Sequence, residues 1–125
     1  MNIASNLRRP LLATALFLAA CAASGPGAAL EKYLKTVEAG DVKLAAAMFP
    51  KSVRAQFESK IVAMIGRQSE DIRKRGGIKA MDIVQEQVTG ELASVRVATH
   101  YGDGTVDTTS TQMLREEREW KINPR

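Results

Sequence analysis

The apolar period of this chain changes once, and the change falls at a pair of glycines. Up to Ile72, apolar residues recur three and four positions apart; from Ile78 they alternate with polar ones. The first spacing lines one face of a helix and the second one face of a strand. Gly76-Gly77 stands between them, where left-handed backbone ends a helix without a Cβ clash. Helices grouped first and strands grouped afterwards predict an α+β domain, with three helices on one face of an antiparallel sheet of about four strands.

Each segment carries its own punctuation. Leu30, Tyr33, Leu34 and Val37 form the stripe of a first helix, which Gly40 ends. Asp41 is a fitting N-cap for a second, short helix carrying Val42, Ala45, Ala46 and Phe49 before Pro50 interrupts. A third helix runs from about Ser52, with Val53, Phe57, Ile61, Met64, Ile65, Gln68 and Ile72 as its inner stripe and Gly66 as its weak point. Strands are expected over Ile78–Val88, Leu92–Tyr101 and Thr105–Glu116, with a last one holding Trp120-Lys121-Ile122. Gly102-Asp103-Gly104 marks a hairpin. Ala93, Val95, Val97, Thr99 and Tyr101 share one face, leaving His100 on the other. Trp120 and Ile122 share a face that closes over the core while Lys121 stays in water.

The first 21 residues carry a different signal. Arg8 and Arg9 precede an apolar run from Leu11 to Ala20, followed by Cys21. Ten helical residues span about 15 Å, half a bilayer core, which suits an export signal and not a permanent span. Leu18-Ala19-Ala20-Cys21 resembles the lipobox of bacterial lipoproteins. That resemblance implies cleavage between Ala20 and Cys21, diacylglycerol on the Cys21 sulfur, and a second fatty acyl group on its amine in many Gram-negative hosts. Ala22 in place of Asp implies the outer membrane by the same analogy. The expected organisation is a signal peptide over 1–20, a lipidated Cys and tether over 21–27, and one domain over 28–125.

Composition agrees with a single small exported domain. The precursor has 125 residues and a formal charge of +4, of which Arg8 and Arg9 leave with the leader. The remaining excess is too small to imply nucleic acid as a partner. Cys21 is the sole cysteine, which excludes an intramolecular disulfide and a multi-cysteine metal site.

The stretches Ala29-Leu-Glu-Lys-Tyr-Leu34, Ala39-Gly-Asp41 and Ala45-Ala-Ala-Met-Phe49 resemble the opening of nuclear transport factor 2-like domains. With Gly76-Gly77-Ile78-Lys79, the Gly102–Gly104 hairpin and Trp120-Lys121-Ile122, they resemble the small bacterial lipoproteins grouped as domain of unknown function 4878, within the cystatin-like superfamily. The resemblance covers about residues 28–123. It implies a cone in which a curved sheet wraps the long helix, and it implies no established activity.

Candidates for chemistry are few. Tyr33, Tyr101 and Trp120 are the aromatic residues expected to line any pocket in the cone. Related folds host isomerase, dehydratase and hydrolase sites, so an enzyme would use Tyr33 with Asp82 or His100. The residues read more simply: Tyr33 as a core aromatic, His100 as a surface group, Asp82 and Asp107 as solvated strand positions, and Asp103 as a turn former. Arg73-Lys74-Arg75 opposes the dipole of the third helix, or touches lipid head groups. Thr105–Thr111 reads as a solvated sheet face. No metal or cofactor site is expected. The sequence therefore predicts a membrane-anchored envelope protein, without enzymatic activity, whose domain binds a protein or a small apolar ligand; a small enzyme and a structural role at the cell wall are the alternatives.

Overall fold

A computed structural model describes residues 25–124. The expectations for the leader, the Ala20–Cys21 cleavage site and the lipidated Cys21 lie outside those residues. Three helices, α1 (Pro26–Glu38), α2 (Val42–Ala46) and α3 (Lys51–Lys74), precede four strands, β1 (Ile78–Thr89), β2 (Leu92–Tyr101), β3 (Val106–Glu116) and β4 (Glu119–Ile122). The strands form one antiparallel meander in the order β1-β2-β3-β4. This is the α+β architecture that the change of period predicts.

Local chemistry explains the element ends. Pro26 occupies the first turn of α1, where its missing N–H is no loss, so the helix starts two residues before the expected domain boundary at 28. Gly40 follows α1 with φ +78°, and the Asp41 carboxylate caps α2 by accepting from the Leu44 N–H at 3.1 Å. Gly76 and Gly77 both have positive φ. There the chain also presses against the β2–β3 hairpin: the Gly102 N–H donates to the Gly77 carbonyl at 2.9 Å, and Asp103 N–H to the Arg75 carbonyl at 2.8 Å. A Cβ on Gly102 would overlap the Gly76 carbonyl oxygen, so the helix-to-sheet corner requires glycine from both sides.

Leu30, Tyr33 and Val37 of α1, Ala45 and Phe49 around α2, Ile61, Ile65 and Ile72 of α3, and Ala93, Val95 and Val97 of β2 make one core, closed by Met113, Trp120 and Ile122. Burial of each full-sized aliphatic chain is worth about 1.5–3 kcal/mol. Tyr33 meets Phe49 edge-on, with ring centroids 5.8 Å apart.

Three expectations are corrected. Phe57 is not on the inner stripe: its backbone leaves the helical region (φ −129°, ψ 26°), which breaks the periodicity of α3 and leaves the ring 45% exposed. The helix is interrupted there and not at Gly66, and Met64 also turns outward. Gln68 keeps its place on the stripe, half-buried, and Ser69 beside it is buried as well. Lys121 does not stay in water either. Its side chain is only 15% exposed, pairs with Glu119 at 3.0 Å and donates to the Ala47 carbonyl at 3.2 Å.

Candidate functional site

Along β2 the inward side chains Ala93, Val95, Val97 and Thr99 are all buried. Their partners on β3 are Met113, Thr111, Thr109 and Asp107, which point to the same face. Of these only Met113 is buried, and Thr109 is exposed. The hollow over this uncovered half of β3 is a groove of about 610 Å³. Val97, Thr99 and Tyr101 of β2 and Asp107, Thr109 and Thr111 of β3 form its floor. Met64, Arg67, Gln68 and Asp71 of α3 form one wall, Tyr33 and Leu34 of α1 close the inner end, and Asn123 and Pro124 lie at the side.

Its polar groups are tied to one another. The Tyr33 hydroxyl donates to the Gln68 side-chain oxygen at 3.0 Å, and burial pushes its pKa up to about 12. Arg75, just past α3, reaches across the mouth to Asp107 at 2.6 Å and to Asp71 at 3.4 Å. Its guanidinium also lies 4.7 Å from the centre of the Tyr101 ring. Burial and the Asp107 carboxylate raise the Tyr101 hydroxyl, and Arg75 partly offsets them. Both tyrosines therefore keep their protons near neutral pH and present apolar faces with hydroxyl donors.

Two of the three aromatic candidates, Tyr33 and Tyr101, meet in this groove. Trp120 does not: it faces a separate hollow of about 330 Å³ beside Gly25, Ala29, Lys32 and Met48, with Arg115 stacked 4.6 Å from its ring centre. Asp82 and His100 do come together, at 3.0 Å, but on the opposite face of the sheet. They cannot converge with Tyr33 in one site. Asp107 is no simple solvated strand position, since it faces the groove and binds Arg75. Parity along β3 was the available signal, because odd-numbered residues share the face of buried Met113. Gln68 was the one polar residue in an apolar stripe, and it serves as the acceptor for Tyr33. Arg75 leaves the basic run as a cross-link, with Arg73 and Lys74 exposed. Asp103 does form the hairpin turn, accepting from the Thr105 N–H at 2.9 Å and hydroxyl at 2.6 Å.

Among the described residues, no group of three or more His, Cys, Asp or Glu side chains is placed to hold a metal ion. No helix among them is long and apolar enough to cross a membrane.

Three helices followed by a curved four-stranded antiparallel sheet give the chain a nuclear transport factor 2-like fold. A solved Campylobacter jejuni structure described as an NTF2-like transpeptidase superposes with a TM-score of 0.68 at 16% identity, over 79% of this chain and 97% of that one. The likeness is one of fold. The family described as domain of unknown function (DUF4878) matches residues 19–123, and the chain belongs to that family. A search of the curated proteins finds no match.

Proposed function

We propose that the mature chain is an envelope lipoprotein, anchored through Cys21 on the periplasmic face of the outer membrane of a Gram-negative host, and that its domain binds a protein or small ligand in the groove without transforming it. The observation that carries the binding half is the groove itself. Its volume of about 610 Å³ falls in the usual range of ligand sites, roughly 300–1,000 Å³. Its walls are of mixed character, with Tyr33, Leu34 and Met64 beside Thr99, Thr109 and Gln68. A tyrosine held at about 12 and bonded to Gln68 serves as a fixed donor and a poor base at neutral pH. Support for the anchor comes from the leader pattern that ends in Cys21.

The two halves have separate tests. Labelled palmitate fed to cells should enter the wild type and not Cys21→Ser; equal labelling refutes the anchor. For the groove, a fragment mixture should shift the amide resonances of Tyr33, Thr99 and Thr109, and Thr109→Trp should abolish those shifts without lowering stability. Shifts that map elsewhere, or survive Thr109→Trp, refute the groove as the binding site.

A further inference from the structure

The groove is bounded on its open side by main chain. β4 pairs with β3 only over Met113–Glu116. One further bond, from the Asn123 N–H to the Gln112 carbonyl at 2.9 Å, extends the ladder, and Pro124 is the last residue described. Among the described residues, Val106–Thr111 has a partner strand on the β2 side alone.

The direction of those main-chain groups follows from two bonds. The Arg115 N–H points to the β2 side, where it meets the Glu91 carbonyl, and the Gln112 carbonyl points to the β4 side. In an antiparallel strand the N–H and C=O of one residue share an edge, and successive residues alternate. Thr108 and Ser110 therefore turn both N–H and C=O to the open side. Their side chains go to the far face, as Gln112 shows by reaching Ser94, so Ser110 borders the groove through its main chain.

Among the described residues nothing protects this edge. Val106–Thr111 has no proline and no lysine, four of its six residues are β-branched, and its only charge, Asp107, is bound to Arg75 on the inner face. Facing the edge, α3 carries the apolar side chains that its break at Phe57 turns outward. Phe57 and Met64 are 45% and 36% exposed and, with Val53, Ile61 and Pro124, line a further hollow of about 290 Å³. It shares Met64 and Pro124 with the groove, so the two adjoin. Lys60 and Arg67 border them and, among the described residues, form no ion pair, while Asp71 and Asp107 are already held by Arg75.

We infer that the groove takes an extended segment of a partner protein as an added strand, hydrogen-bonded to the main chain of Thr108 and Ser110. Alternate apolar side chains enter toward Phe57, Met64 and Tyr33, and a carboxylate meets Arg67 or Lys60. The inference rests on the groove being the binding site and names the class of its ligand: a proline-free β-strand of about four to six residues carrying one Asp or Glu.

The probe is a phage-displayed random dodecapeptide library, selected on the mature lipoprotein in detergent micelles. Selected sequences should alternate apolar residues around an acidic one. As synthetic peptides they should slow amide exchange at Thr108 and Ser110 at least tenfold. Ser110→Pro removes one outward N–H without touching the β2 ladder; it should keep the thermal midpoint and weaken binding at least tenfold. Arg67→Glu should turn the selected residue from acidic to basic. No enrichment over a protein-free selection, full affinity in Ser110→Pro, or a dimer of two copies paired at this edge would each overturn the inference. Fragments that still bind at Thr109 in those cases would leave the groove reading standing and remove only its peptide form.

Discussion

β2 and β3 lie side by side, share one register and turn the same face to the helices, yet only β2 is covered. Val97 is 1% exposed while Thr109, directly opposite, is open to solvent; only at the Ala93–Met113 pair are both partners buried. The reason is width. A helix with its side chains is about 10–12 Å across and strands lie about 4.8 Å apart, so one helix roofs about two strands. A meander of four strands is wider than one helix, and the helix that packs on it, α1, meets β1, β2 and β4. Among the described residues α1 and β4 close one end, and the far half of β3 is left over. Its sequence is matched to that fate, with Asp107, Thr109 and Thr111 where β2 has Thr99, Val97 and Val95.

The sharpest way to break this comparison is to place the same charge on both members of one cross-strand pair. Val97→Asp buries a carboxylate without a partner and should remove more than about 3 kcal/mol of stability, enough to unfold much of a small domain. Thr109→Asp, its neighbour on the same face, should stay within about 0.5 kcal/mol. Urea midpoints of the two variants measure the contrast; equal losses would mean that β3 is as enclosed as β2. Next in size comes the corner that fixes the end of α3 over the sheet. Gly102→Ala drives a methyl into the Gly76 carbonyl and should cost more than about 1 kcal/mol, whereas Gly66→Ala, with open space around it in mid-helix, should gain up to about 1 kcal/mol.

The fold was legible because it rests on period and punctuation, which are local. Alternation in β2 identified its buried face residue by residue, and Asp41, Gly40 and the Gly76-Gly77 pair marked ends that the structure keeps. The groove was less legible because it depends on what fails to cover a surface. Tyr33 and Tyr101 were identifiable as inward aromatics, but the same reading assigned Trp120 to the same pocket, since a shared face says nothing about which end of a sheet a residue occupies. Phe57 was misplaced because a stripe assumes unbroken helix, and no glycine or proline announces its break. Arg75 and Asp107 are 32 positions apart, and no periodicity links a helix end to a hairpin strand.

Tyr33 sharpens the comparison from the covered side of the groove. Tyr33→Phe gives up the bond to Gln68 and should cost about 1 kcal/mol at neutral pH. Its pKa rises from about 10 unfolded to about 12 folded, so the folded state holds the proton more tightly. The associated stability is present below pH 10 and is lost as pH climbs toward 12, up to about 3 kcal/mol in all. Tyr101, raised by the same cause, adds to the decline in the same direction. Denaturation midpoints between pH 9 and 12 should fall less steeply in Tyr33→Phe than in the wild type. Parallel curves would mean that the hydroxyl already meets solvent through the groove.

The smallest effect is expected where neither strand has cover, on the outer face of the sheet. Asp82 and His100 pair there at 3.0 Å with side chains 69% and 40% exposed, whereas Arg75 and Asp107 pair at the groove mouth with 31% and 45% exposed. Water screens the first pair on every side. The second is held in place by the Tyr101 ring, by Asp71 and by the main-chain bond from Asp103 to Arg75. A double-mutant cycle through Asp82→Asn and His100→Gln should give a coupling of about 0.5 kcal/mol or less, shrinking further in salt. The matching cycle through Arg75→Gln and Asp107→Asn should give a larger coupling that resists salt. If the two cycles agree, the mouth of the groove is as wet as the back of the sheet, and the hollow over β3 is open surface and not a site.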